Sequence, residues 1–367
     1  MHGLYIHIPF CKKKCKYCDF QSFSGCEKDF SAYLDALTDE MSEYKGEKVD
    51  SVFIGGGTPT LLDAESLNIL LRAISSNFIL AENTEFTIES NPKTLTPEKL
   101  SVLKGCGVNR LSIGVQSFND TELSAIGRIH NAEAAAAAFK MARECGFGNI
   151  NLDIMFSLPK QTRESFEKTL NEVIELNPEH ISCYSLILEE GTPLFDEVQS
   201  GKVSLPDDET DRKNYELACE KLKNAGYIQY EISNFASTGF ECRHNIKYWD
   251  CDEYIGLGVS AHSYYKGKRF SNTLSLTEYL KGSYRSGEKD VLTDRDKISE
   301  FMIMGFRKTK GIKKDEFKKR FGRELKDVFG SETEKFKKAG LMAENGEYIY
   351  LTPEGVNVSN SILCEFV

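Results

Sequence analysis

From residue 3 to about residue 188, short runs rich in Val, Ile, Leu, Phe and Tyr alternate with longer stretches whose apolar residues recur every three to four positions. The short runs spell strands and the longer ones amphipathic helices. Strands are predicted at 4–8, 51–54, 85–89, 110–115, 151–155 and 180–186, and helical spacing falls at 30–45, 63–77, 120–126, 132–144 and 163–176. Thr96-Pro97-Glu98 adds a helix start, with a capping residue before a proline at the first helical position. Strands alternating with helices pair in parallel, because the chain crosses back over the sheet each time. Six such units predict an α/β fold over residues 1–188, an incomplete (β/α)6 barrel open on one side.

Beyond residue 188 the pattern changes. Glu190-Gly-Thr-Pro193 reads as a turn, 207–225 as a charged amphipathic helix and 227–235 as strand-like. The stretches 242–249 and 254–264, rich in aromatic and small residues, read as part of a linker region, 189–290. From about residue 294, helices near 297–308, 313–321 and 332–339 precede a hairpin over 340–351 with Asn345-Gly346 as its turn. Helices, a hairpin and a last helix resemble a winged helix, so 291–367 is expected as a C-terminal, largely helical domain. Its mixed charge favours packing or partner binding over nucleic acid.

The polar residues of the barrel region fall at the carboxyl ends of the predicted strands, where barrel chemistry sits. Cys11-Lys-Lys-Lys-Cys15-Lys-Tyr-Cys18 follows the first strand, Gly55-Gly56-Gly57-Thr58 the second, and Glu89-Ser90-Asn91-Pro92 the third. Gln116-Ser117-Phe118 ends the fourth, and Asp153 lies late in the fifth. Three thiols cannot pair into disulfides without one left over. Three thiolates in a metal site are one ligand short, which leaves a position for a non-protein ligand. Zinc with a distant fourth ligand, or ordinary buried thiols, fit the same spacing. The glycine triplet lets backbone N–H groups come close to a ligand, or simply makes a tight turn. Lys12, Lys13, Lys14 and Lys16 would offset thiolate charge or receive an electron donor; a solvated loop face explains them equally well.

Composition narrows the setting. Eleven cysteines, an odd number and mostly scattered, fit a reducing, cytoplasmic compartment, and no apolar run reaches the length of a membrane span. No signal peptide is expected at the N-terminus. A net charge of −10 argues against bulk nucleic-acid binding, while peripheral membrane contact stays open.

C-x3-C-x2-C after the first strand resembles the radical S-adenosylmethionine (SAM) superfamily. That resemblance implies a radical SAM barrel with a [4Fe–4S] cluster on Cys11, Cys15 and Cys18 and SAM on the open iron. Gly56, Gly57 and Thr58 resemble the motif that holds the SAM amino group. The order of Glu89, Gln116, Arg128 and Asp153 is similar to that in the oxygen-independent coproporphyrinogen III oxidase group. There Glu89 would bind SAM, Tyr5 and Tyr17 would flank cluster and adenine, and Gln116, Arg128 and Asp153 would meet a second SAM. The oxidase carries a fourth cysteine where this chain has Phe20, and a long segment ahead of the motif where this chain has ten residues. Arg243-His244-Asn245-Ile246-Lys247-Tyr248-Trp249 resembles instead the H-N-x-x-Y-W signature of the HemW-type haem chaperones. Imidazole can ligate haem iron, and Tyr and Trp offer flat faces to a macrocycle; a tryptophan sealing a domain junction, with His244 and Asn245 capping a turn, explains the same residues. The resemblance implies a carrier that binds haem near His244, Asn245, Tyr248 and Trp249 and delivers it to apoproteins. A reductant such as flavodoxin or ferredoxin would serve its cluster. The alternative is the oxidase reaction itself, and whether the chain is an enzyme stays open. His262 is a weaker haem candidate, expected as a core histidine.

Overall fold

A computed structural model describes residues 1–367, apart from the side chains of Glu288 and Lys289. Six strands, β1 (His2–Ile8), β2 (Lys48–Gly56), β3 (Ile79–Ser90), β4 (Arg110–Gln116), β5 (Ile150–Phe156) and β6 (His180–Ser185), lie side by side in chain order and pair in parallel. The twofold alternation of each strand decides its two faces. Leu4, Ile6 and Ile8 of β1, Val52 and Ile54 of β2, and Leu111, Ile113 and Val115 of β4 are wholly buried under the helices. Leu37 and Met41 of helix Phe30–Ser42 and Leu67, Leu71 and Ile74 of helix Ala64–Asn77 meet them. The opposite, inward face carries Tyr5, His7, Phe53, Glu89, Ser112, Asn151 and Asp153, so the interior is aromatic and polar rather than aliphatic. Thr96 caps its helix as expected, accepting the Lys99 N–H at 3.2 Å.

The stretch read as a linker extends this sheet at both edges, to twelve strands. Asn234–Ala236 and Ile228–Glu231 add antiparallel strands beyond β6. Tyr254–Leu257 runs parallel to β1 and is followed by His262–Tyr265, Lys268–Asn272 and Arg285–Val291. Most of these strands are only three to five residues long, too short for an alternation to mark them. Gly256 is required where it stands, because a Cβ there would meet the His262 carbonyl oxygen at 1.9 Å. The two sheet edges do not pair with each other, and the barrel stays open.

The C-terminal unit runs helix Asp294–Gly305, strand Ile312–Lys313, helices Lys314–Phe321 and Leu325–Lys338, then the hairpin Met342–Glu344 and Tyr348–Leu351. That is winged-helix order. Its last long helix starts seven residues earlier than the sequence pattern suggests, because a kink at Phe329 interrupts the periodicity. Phe301, Phe306, Phe317, Phe336, Ile349 and Phe366 give the unit a core of its own. No described helix is long and apolar enough to cross a membrane.

Candidate metal and cofactor site

Immediately after β1 the chain makes the cysteine loop, and its backbone is held from three sides. Phe10–Cys11 pairs with Phe23–Ser24, the Lys16 N–H donates to the Ile126 carbonyl at 3.0 Å, and the Lys16 carbonyl accepts the Leu194 N–H at 2.9 Å. Cys11, Cys15 and Cys18 are all free and half-exposed. The Cys11 thiol lies 3.8 Å from Thr58 Oγ1, and Arg128 Nη1 donates to Cys15 Sγ at 3.5 Å. Burial raises the Cys11 thiol and pushes Cys18 up to about 11, with neighbouring thiols adding to both. Among the described residues, no three His, Cys, Asp or Glu side chains converge on a point that would hold one ion. The other cysteines are free as well, with Cys183 and Cys242 buried.

The glycine turn after β2 is pressed against this loop. A Cβ on Gly57 would meet the Phe10 carbonyl oxygen at 2.6 Å, and one on Gly56, at φ +110°, would meet the His7 ring at 2.6 Å. The expectation that the turn offers N–H groups to a ligand is corrected here. Gly56 N–H donates to Glu89 Oε2 at 3.1 Å, Gly57 N–H to the Ile8 carbonyl at 2.9 Å and Thr58 N–H to the Phe10 carbonyl at 2.7 Å. All three donors serve the fold.

Inside the barrel mouth the strand-end residues come together. Tyr5 Oη lies 2.9 Å from His7 Nδ1, and His7 Nε2 lies 2.8 Å from the Gln21 carbonyl of the cysteine loop. Asp153 accepts from Asn151 at 2.7 Å and from Ser112 at 3.1 Å. Tyr184 donates to Gln116 Oε1 at 3.1 Å, and Arg128 donates to the Gly114 carbonyl. Gly114 makes room for both, since a Cβ there would lie 2.9 Å from Gln116 Nε2 and 3.1 Å from Arg128 Nη2. Tyr17 packs beside Ile126, Met155 and Leu158, with Arg128 and Cys15 close by. His7, Gly114 and Tyr184 were not singled out from the sequence. Their signal was parity, since His7 shares the face of Tyr5 and Tyr184 that of Ser182.

Burial, with the nearby Asp153 carboxyl second, pushes Glu89 up to about 8. Asp153 is raised as well, by burial. The sign of the resulting pH effect follows. Glu89 supports the fold fully below the ordinary value of 4.5, and that support drains away as pH rises toward about 8. In urea denaturation of the metal-free protein, Glu89→Gln is expected to be more stable than wild type at about pH 8.5, with the gap closing at about pH 5. A gap independent of pH would contradict the shift.

Helix Arg243–Trp249 lies at the other end of the barrel, across the amino ends of β2 and β3. The Cys242 side chain does not cap it and donates instead to Glu85 of β3 at 3.6 Å; Glu85 also accepts the Arg243 and His244 N–H groups, both at 2.9 Å. The negative carboxylate thus meets the positive end of the helix. His244 stacks on Phe53, with ring centroids 5.3 Å apart, and Phe53 stacks on Tyr5. Its Nδ1 lies 3.0 Å from Ser51 Oγ and its Nε2 3.0 Å from Tyr248 Oη. Burial lowers His244 to about 3. The imidazole is therefore not open to iron in this structure: the ring is buried and both nitrogens are engaged. Asn245 and Trp249 are half-buried, and the Arg307 guanidinium covers the Trp249 indole at 4.4 Å. His262, expected in a core, is exposed on the strand His262–Tyr265, which pairs with Tyr254–Leu257 on one side and Lys268–Asn272 on the other.

Comparison with known proteins agrees with this geometry. Residues 5–173 match the radical SAM superfamily, and residues 292–358 match the HemN C-terminal domain. The chain is 40% identical to the heme chaperone HemW of Bacillus subtilis, covering all of this chain and 99% of that one. It is 36% identical to the heme chaperone HemW of Escherichia coli, over 98% of this chain and 97% of that one. The structure superposes on coproporphyrinogen III oxidase (HemN) of Escherichia coli, a radical SAM enzyme, with a TM-score of 0.86 and 27% identity, over 99% of this chain and 89% of that one. A chain with this barrel, this cysteine loop and end-to-end identity to those relatives is a radical SAM protein belonging to the HemW family.

Proposed function

We propose that this protein is a haem carrier that holds a [4Fe–4S] cluster on Cys11, Cys15 and Cys18, with SAM on the iron they leave open. The observation that carries the reading is the gathering of three half-exposed thiols with Glu89, Gln116, Arg128 and Asp153 at one barrel mouth, in a chain 40% identical end to end to a protein named a heme chaperone. The donor set fits the cluster. Three free, half-exposed thiols fall within eight residues, one facing the Arg128 guanidinium and one beside the Thr58 hydroxyl. When bound, the cluster supplies one-electron chemistry to SAM. The chain's own groups would orient both: Thr58 and Arg128 beside the sulfurs, the Gly56 and Gly57 carbonyls for the SAM ammonium, Glu89 beneath it, and Tyr5 and Tyr17 at the flanks. Arg128 Nε, buried without a partner among the described residues, fits an acceptor on a bound ligand. The same reading gives the protein a cytoplasmic setting, haem-accepting apoproteins as partners, and a flavodoxin or ferredoxin as reductant.

Haem ligation by His244 would require a ring nitrogen to leave its partner, Ser51 or Tyr248, and the buried ring to become exposed. Haem titration followed by the Soret band tests this. His244→Ala is expected to weaken binding at least about tenfold, whereas Tyr248→Phe, which frees the nitrogen, should tighten it or leave it unchanged. Unchanged binding in His244→Ala would remove that residue from the site. The likeness to the oxidase favours a second reading, oxidation of coproporphyrinogen III. Stoichiometric product from coproporphyrinogen with SAM and a reductant would replace the carrier reading.

A further inference from the structure

In a chain of net charge −10, the cysteine loop reverses the sign. Lys12, Lys13, Lys14 and Lys16 fall within five residues. Lys16 is tied down by Glu197 at 2.7 Å, and Lys12 only loosely by Glu27 at 3.5 Å. Lys13 and Lys14 are exposed and make no ion pair among the described residues. Phe20, which follows the exposed Asp19 a few residues on, is 64% exposed, although most phenylalanines of this chain are buried. Gln21 Nε2 donates to the carbonyl of Leu274, which is itself 62% exposed, so a second apolar side chain adjoins the same rim.

From this we infer that the cysteine-loop face, Lys12, Lys13 and Lys14 around Phe20, is the docking surface for an acidic one-electron carrier protein. The inference rests on the cluster reading above. A small apolar centre ringed by one sign of charge is how weak, fast electron-transfer encounters are built, with charge steering the approach. Cys11 and Cys15, both half-exposed, bracket Lys12–Lys14 in the chain, and Cys18 stands two residues before Phe20, so a carrier docked on these residues comes close to whatever the cysteines hold. In the step, one electron leaves the carrier and enters the cluster. The carrier is oxidised by one electron as the cluster is reduced by one, and no bond to the chain forms or breaks.

The test mixes cluster-loaded protein with a purified acidic flavodoxin hydroquinone in stopped flow, at low and high salt. With equal iron content, a Lys12→Glu, Lys13→Glu, Lys14→Glu triple variant should react at least about tenfold more slowly at low salt, and the wild-type rate should fall steeply as salt screens the patch. Phe20→Ser should slow the reaction by a smaller factor. Titration calorimetry with oxidised flavodoxin should lose affinity in the same variants. Reduced methyl viologen, a small cation, should reduce every variant at least as fast as wild type. Equal flavodoxin rates in wild type and triple variant would overturn the proposal, as would a variant that keeps those rates and loses haem instead. If wild type shows no viologen-reducible cluster, the cluster reading fails on its own. Flavodoxin calorimetry with the metal-free protein then still decides the surface.

Discussion

Cys15→Ala is expected to leave anaerobic reconstitution almost colourless. Wild type should take up about four irons per chain with the broad brown absorbance of an iron–sulfur cluster, and the variant about one or fewer. The expected loss is near complete because the three thiols occupy one short loop and no further ligand stands by. Among the described residues no group of three His, Cys, Asp or Glu side chains offers a substitute metal site, and the oxidase's fourth cysteine position is taken by Phe20. Cys15 is also the thiol that Arg128 contacts, so its loss leaves a buried guanidinium without that partner. The fold itself should survive, since the loop backbone is held by Ile126, Leu194 and the Phe23–Ser24 bridge. Far-ultraviolet circular dichroism of the metal-free variant checks this. Equal iron content in variant and wild type would sink the cluster assignment.

Glu85→Ala should cost the most stability, about 3–5 kcal/mol in equilibrium urea denaturation. The carboxylate is buried and accepts two helix N–H groups, with the Cys242 thiol 3.6 Å away. Removing it leaves those donors without an acceptor and deprives the buried Arg110 guanidinium of an opposing charge. Each buried donor left unpaired costs about 1–3 kcal/mol, and the dipole term is lost as well. Glu85→Gln keeps one acceptor oxygen and should lose about half as much. Because this carboxylate fixes where helix Arg243–Trp249 begins, the alanine variant should also expose the chain near Arg243 to trypsin. A denaturation midpoint unchanged by Glu85→Ala would mean that the helix is held by its other contacts.

How much of this was legible in the sequence follows from the range of each interaction. Strand and helix order in 1–188 could be read because one face of each element is buried, and burial imprints a period on the residues. The cysteine loop and the strand-end polar residues could be read because they are local in sequence or fixed by strand parity. The edge strands could not, since Tyr254–Leu257 is four residues long and its pairing with β1 spans some two hundred and fifty positions. The environment of His244 could not either. Ser51 and Glu85, which close around it, lie 193 and 159 residues away, and nothing about a histidine beside aromatics announces that both its nitrogens are engaged. Nor did a glycine triplet reveal that the N–H groups of Gly56, Gly57 and the following Thr58 are committed to Glu89, Ile8 and Phe10.

The contact between Arg307 and Trp249 has a practical consequence. Trp249 is the chain's one tryptophan, and its indole lies beneath a guanidinium carried by the C-terminal unit. Its Nε1 has no hydrogen-bond partner among the described residues, so its emission wavelength is free to respond to water. Intrinsic fluorescence of this protein is therefore a single-site signal from the junction between barrel and C-terminal unit, needing no label. A red shift would report that the guanidinium has lifted away, and quenching on haem addition would report, through energy transfer, how near the macrocycle comes to that junction.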